Sequence, residues 1–68
     1  MKLLVDHEAD ALYLKLNDDA TVVESEEVQP GIVLDFDADE KVVGLEILGL
    51  SSRVPAGGDR TLSVETTI

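Results

Sequence analysis

A period of two in the placement of apolar residues is the strongest constraint that this chain sets on its own fold. Residues 11–16 put three leucines on one side of an extended segment, with Tyr13 and Lys15 on the other. Residues 31–37 and 42–48 alternate in the same way. Successive side chains of a β-strand point to opposite faces, so the pattern predicts half-buried strands. No ten-residue window has the 3.6-residue spacing of an amphipathic helix, so we expect a mainly β protein.

Short turn-forming segments separate five predicted strands. The predicted strands are Lys2–Val5, Ala11–Leu16, Thr21–Val28, Gly31–Asp37 and Val42–Leu48. The links between them are too short for parallel crossovers, which predicts a small antiparallel meander. The third strand becomes acidic and alternates weakly, so we expect it at an edge of the sheet, protected by its charge.

The segment that follows the fifth strand is predicted to hold little regular structure. Gly49–Arg53, closed by Pro55, is the best candidate for a helical turn, and such a turn would make the fold class α+β. Residues 1–54 are predicted to form one β-rich domain. Residues 55–68 are predicted to be a loop that leads either into a sixth strand over 61–68 or into a frayed terminus.

The small size of the chain raises the question of what stabilises it. Sixty-eight residues bury only about 60% of their unfolded surface, and the absence of cysteine excludes disulfide bonds and thiolate metal sites. The fifth strand is apolar on both faces, since Val42 and Leu48 flank Glu46 opposite its regular apolar side, and Val33 extends that second face. A small sheet needs a second layer, so we expect a homodimer, or a C-terminal segment folded over the sheet.

Charge limits the possible partners. Fifteen acidic against five basic residues give a net charge of −10, which argues against nucleic acid and against anionic membranes as partners. The acidity fits a solvated surface, a face for a basic protein partner, or adaptation to a high-salt cytoplasm.

The apolar runs of the chain are short. The first run ends at Asp6, which is too early for a signal peptide. No run approaches the roughly 18 residues that span a bilayer, so we expect a cytoplasmic protein.

The segment Asp6–Asp10 gathers three acids around the only histidine, His7. A zinc-binding helix would need a second histidine four positions later, where the chain has Ala11. A small hydrolase-like enzyme that uses His7 with Glu8 or Asp10 is the third hypothesis for function, although no serine has a supporting motif and there is no cysteine. We interpret the segment as the turn between the first two strands and predict no catalytic, cofactor-binding or metal-binding residue.

A second acidic segment copies part of a calcium-binding pattern. Asp35, Asp37, Asp39 and Glu46 have the spacing of EF-hand ligands at positions 1, 3, 5 and 12. The position that requires glycine in such a loop holds Glu40, and the flanking segments alternate as strands do. A weak divalent-cation site in this hairpin is therefore the alternative hypothesis for function. In such a site, Asp35 and Asp37 would lie on one face of the hairpin, and Glu46 would lie across from Asp35 on the neighbouring strand.

Two blocks of sequence carry a family resemblance. The first contains Asp6, Glu8, Ala9, Asp10, Ala11, Leu12 and Tyr13, and the second contains Asp35, Asp37, Val43, Gly44, Glu46, Ile47 and Leu48. Over about residues 2–53 the chain resembles a small uncharacterised prokaryotic family known as domain of unknown function 2283. It departs from that pattern at Val5, at Glu40 or Lys41 where the turn usually has glycine, at Leu50 and after Pro55.

The resemblance implies a small β-rich domain with no assigned activity, and some relatives look like partners of small toxin-like proteins. Together with the acidity, it leads to our main hypothesis for function. We expect a noncatalytic protein-interaction domain, antitoxin-like and dimeric, that binds a basic partner through its carboxylates or through an exposed strand edge.

Overall fold

The computed structural model describes residues 1–54 and 62–67. Within these ranges, residues 2–53 form one open antiparallel sheet of five strands and a single 3-10 turn. The strands are β1 (Lys2–Asp6), β2 (Ala11–Lys15), β3 (Glu24–Gln29), β4 (Ile32–Phe36) and β5 (Val42–Leu48), and the 3-10 turn is Leu50–Arg53. The mainly β class is confirmed. The helical turn lies where it was expected, but it is only a 3-10 turn, and the described residues contain no α-helix that would make the fold α+β. Within the described ranges, no helix is long and apolar enough to cross a membrane.

The strands are arranged in the order β1-β2-β5-β4-β3. β1 and β2 form a hairpin and β3 to β5 form a meander, but β2 lies beside β5 rather than beside β3. The order therefore differs from that of a meander through all five strands, and β2 to β5 make a Greek key. This order gives the most apolar strand, β5, a neighbour on both sides.

The link between β2 and β3 makes this order possible. It passes around the end of the sheet that holds the β4–β5 turn, and two backbone hydrogen bonds fix it there. The N–H of Leu16 donates to the carbonyl of Val43 and the N–H of Val23 to the carbonyl of Phe36, both at 2.9 Å. The β-branched residues 21–23, predicted to begin the third strand, belong to this link, so β3 begins only at Glu24.

The register divides the side chains into two faces. The apolar face, as we name it, contains Leu3, Val5, Leu12, Leu14, Ile32, Leu34, Phe36, Val43, Leu45 and Ile47, and β3 adds Glu24 and Glu26 to its margin. The polar face contains Leu4, Ala11, Tyr13, Lys15, Ser25, Glu27, Val33, Asp35, Gly44, Glu46 and Leu48. The strands thus alternate as the sequence pattern predicts.

The sheet is a single layer, and little of it is buried. Among the described residues, only Val43 (6% exposed) is a buried hydrophobic side chain and only Asp35 (8%) is a buried polar one. Residues 62–67 form no strand, and Leu62 (51%) and Val64 (74%) are exposed rather than packed on the apolar face. The predicted sixth strand is therefore not formed over 62–67; the rest of that prediction, at 55–61 and 68, lies outside the described residues.

Candidate functional site

The acidic segment 6–10 forms the turn between β1 and β2, as we interpreted it from the sequence. The carboxylate of Asp6 accepts a hydrogen bond from the N–H of Ala9 at 3.0 Å, which closes the turn. Asp10 adopts a left-handed conformation (φ 53°), and its carboxylate accepts from the N–H and the hydroxyl of Ser51 at 2.9 and 2.7 Å. Its carbonyl accepts from the N–H of Leu50 at 2.9 Å. Asp10 therefore ties this turn to the 3-10 turn.

His7 lies at the exposed tip of the same turn, beside a shallow open depression of the polar face. The depression is lined by Leu4, Val5, Asp6, His7, Ala9, Ala11, Tyr13, Glu46 and Leu48. This set holds no serine, threonine, cysteine or lysine that His7 could activate as a nucleophile. The hydroxyl of Ser51 already donates to Asp10, and that of Ser52 donates to the carbonyl of Gly49 at 2.7 Å. The geometry thus brings no nucleophile to His7 within the described residues.

The most specific polar arrangement in the structure is a hydrogen-bonded cluster on the polar face. The Tyr13 hydroxyl on β2 donates to one carboxylate oxygen of Asp35 on β4 at 2.6 Å. The Ser25 hydroxyl on the edge strand β3 donates to the other oxygen at 2.6 Å. Both oxygens of the buried carboxylate are therefore engaged, and the cluster connects three strands across the sheet.

Gly44 allows the Tyr13 ring to cross β5 and reach Asp35. A Cβ atom at this position would lie 2.7 Å from the Tyr13 hydroxyl and 3.1 Å from an Asp35 carboxylate oxygen. The alternation in the sequence predicts that Tyr13 lies opposite the leucines of β2, but it does not predict this cluster. The available signal was Gly44 itself, because a glycine inside a strand often marks the close approach of another group.

The cluster also changes the chemistry of Tyr13. The hydrogen bond to Asp35, the desolvation of the phenol and the negative charges of Asp35 and Glu46 raise the pKa of Tyr13 to about 12. Each of these effects disfavours the phenolate. Tyr13 therefore remains a protonated donor at neutral pH, which suits a structural role in holding β2 to β4.

The carboxylates of the β4–β5 hairpin do not converge on a common point. Asp37 accepts from the N–H groups of Asp39 and Lys41 at 2.8 and 3.0 Å, which shapes the turn. Asp35 pairs with Gly44, and Glu46 pairs with Val33. The expectation that Glu46 lies across from Asp35 is therefore wrong, because Glu46 lies two positions further along β5 than the partner of Asp35. Within the described residues, no three histidine or acidic side chains are grouped to hold a metal ion.

The edge strand β3 carries a different kind of polar surface. All six of its residues are exposed, and its position at the edge of the sheet confirms the sequence expectation. Glu24 and Glu26 project on the side of the apolar face, and Glu27 projects on the side of the polar face. Between residues that the structure describes, the one ion pair joins the N-terminal amine to Asp18 at 3.7 Å. The three glutamates of β3 thus have no cationic partner in the described chain.

The comparison with known proteins agrees with the resemblance read from the two sequence blocks. No curated protein and no solved structure matches the chain. The family described as "Protein of unknown function (DUF2283)" matches residues 2–51, a range that covers the whole five-stranded sheet and both blocks. The chain therefore belongs to this family of unknown function.

Proposed function

We propose that this chain is a noncatalytic, antitoxin-like protein-interaction domain that binds a basic protein along β3. The observation that carries the proposal is the state of this strand: a fully exposed edge on which Glu24, Glu26 and Glu27 have no cationic partner in the described chain. The net charge of −10 extends the same negative potential over the rest of the molecule.

Two physical features of β3 suit a basic partner. The outer edge of a sheet offers backbone N–H and carbonyl groups to an added strand, and the alternating side chains then select the partner. Glutamates on both sides of the strand attract lysine and arginine side chains and speed the encounter. The same charges repel β3 of a second copy, so this edge discriminates between a basic partner and the chain itself.

The noncatalytic part of the proposal is supported by how the polar groups are used. Tyr13, Ser25 and Asp35 hydrogen-bond one another, and the phenol is held in its protonated form. Asp10 and Asp37 shape turns through backbone donors. These groups hold strands and turns in place, as expected of a domain that presents an interaction surface rather than a catalytic site.

The test compares three versions of the chain as baits in a native lysate. The unmodified chain is compared with an edge variant (Glu24→Gln, Glu26→Gln, Glu27→Gln) and with a matched variant (Glu8→Gln, Asp39→Asn, Glu65→Gln). Each variant removes three negative charges and changes the net charge from −10 to −7, so only the location of the charge differs. The unmodified and matched baits should retain one basic protein at low salt and release it at high salt, and the edge variant should not retain it.

A binding measurement with the purified captured protein then gives the magnitude. We expect the edge variant to bind at least about tenfold more weakly, which corresponds to about 1.4 kcal/mol, and the matched variant to lose much less. Equal losses in the two variants would show that net charge alone is recognised, and would remove β3 from the proposal. A partner that is acidic, or whose binding is insensitive to salt, would overturn the proposal altogether.

A further inference from the structure

The apolar face of the sheet has no cover in the described chain. Ten aliphatic and aromatic side chains project from it, yet Val43 alone is buried. A sheet that is apolar on one face must pack that face against a second layer to form a core. Neither the 3-10 turn, whose residues are not buried, nor the exposed segment 62–67 supplies that layer.

The total surface area is larger than that of a compact monomer of the same mass. The chain exposes 5307 Å², whereas a compact monomer of 7.3 kDa is expected to expose about 4,200 Å². The exposed segment 62–67 and the uncovered apolar face, on which Val5 is 36% exposed, both contribute to this larger area. A standard protein–protein interface buries about 800 Å² on each partner.

We propose that the apolar face is the interface of a homodimer, in which two copies of the sheet pack face to face as a β-sandwich. A second copy fits this surface better than a charged partner does, because the three central strands, β2, β5 and β4, present no charged side chain to it. Burial against a basic protein would leave that partner's charges without counter-ions at the centre of the interface. Two apolar sheets instead interdigitate at a separation of about 10 Å, as in other sandwiches.

The positions of Glu24 and Glu26 select the orientation of the two copies. A two-fold axis parallel to β5 places β5 over β5 and lays β3 of each copy over β1 of the other. The glutamates then border aliphatic side chains at the rim and stay in water. A two-fold axis in the plane of the interface and perpendicular to the strands would instead lay β3 over β3, and would bring Glu24 and Glu26 of the two copies close to one another. We therefore assign the arrangement whose axis is parallel to β5. This arrangement leaves the outer edge of β3 exposed, so the homodimer is compatible with a partner bound there.

The first experiment uses the unmodified chain. Sedimentation equilibrium in physiological salt should give twice the 7.3 kDa mass of one chain, and the melting temperature should rise with protein concentration because unfolding separates the copies. A folded monomer at every concentration tested would overturn the homodimer. A chain that folds only when another protein is added would overturn it as well, by showing that a different occupant covers the face.

Two adjacent residues of β5 provide a matched pair for assigning the face. Ile47 projects from the apolar face, and Leu48 projects from the polar face with 39% of its surface exposed. Ile47→Lys should lower the dimer's association constant by at least a hundredfold, and Leu48→Lys should leave it within a fewfold of the original value. Equal effects of the two substitutions would remove the apolar face as the interface. The β3 edge variant distinguishes this proposal from the proposed function, because it should lose the binding of the basic partner and still form the dimer.

Discussion

At the scale of single residues, Tyr13 shows how one side chain can report on the whole sheet. Its hydroxyl is held by Asp35 across β5, and the pKa is raised from 10.0 to about 12. The chain has one tyrosine and no tryptophan, so the ultraviolet absorbance of tyrosinate measures this group alone. We expect a titration midpoint near 12 in the folded protein. Asp35→Asn, which removes the main cause, should bring the midpoint back toward 10.0.

The same shift makes stability depend on pH. A pKa that is higher in the folded state contributes stability that is fully present below pH 10 and is lost as the pH rises from 10 to about 12. The free energy of unfolding should therefore fall across this window in the unmodified chain. In Tyr13→Phe this component of the fall should be missing. Denaturant melts at several pH values measure both, and an equal fall in the two proteins would contradict the assignment.

Gly44 should tolerate no side chain. A Cβ 2.7 Å from the Tyr13 hydroxyl would displace the ring and break its hydrogen bond to the buried Asp35 carboxylate. The loss of a hydrogen bond to a charged group outweighs the entropic advantage of alanine, so Gly44→Ala should lower the free energy of unfolding by about 1–2 kcal/mol. It should also lower the pKa of Tyr13. A variant with normal stability and an unchanged tyrosine titration would show that the ring does not depend on Gly44.

At the scale of the elements, the β4–β5 turn contains a residue that the backbone does not favour. Glu40 has φ 63°, a left-handed conformation that costs a non-glycine residue roughly 1–2 kcal/mol. Glu40→Gly should therefore raise the free energy of unfolding by about 0.5–1 kcal/mol, as measured by denaturant melts. The control is Asp39→Gly, in the same turn but without a positive φ, which should not stabilise the chain.

The elements themselves could be predicted from the sequence because their signals are local. The alternation in 42–48 gave the bounds of β5 without error, and Pro30 with Gly31 (φ 82°) marked the β3–β4 turn. The sequence predicts that β3 begins at residue 21 rather than at 24, since the β-branched residues 21–23 are extended in the link as they would be in a strand. The position of β2 beside β5 depends on contacts between distant segments, which no local period encodes.

The candidate site was less predictable than the fold for the same reason. Asp6 to Asp10 could be interpreted as a turn, because short acidic side chains bond nearby backbone there. The Tyr13–Asp35–Ser25 cluster joins residues separated by up to 22 positions, and its geometry follows from the register of four strands. The same register separates Glu46 from Asp35, so the calcium-like spacing in the sequence has no counterpart in space.

At the scale of the whole molecule, charge and apolar surface act in opposite directions. Each copy carries −10, so a homodimer brings two strongly acidic chains together while it buries their apolar faces. Salt screens the repulsion, since the screening length shortens from about 30 Å at 0.01 M to about 8 Å at 0.15 M. The apolar contact is not weakened by this screening. Salt should therefore strengthen the dimer and weaken the binding of a basic partner at β3.

The effect of salt on the dimer can be tested with the unmodified chain alone. Between about 0.01 and 0.15 M salt, the melting temperature of the unmodified chain should rise, and its dependence on protein concentration should persist. At molar salt, where the screening length is about 3 Å, a further rise beyond the screening effect would support adaptation to a salty cytoplasm, and a plateau would point to screening alone. A melting temperature that falls with added salt would mean that attraction between charges contributes more to the folded state than apolar packing does. A melting temperature that does not depend on protein concentration would mean that the folded chain is a monomer, and would overturn the homodimer.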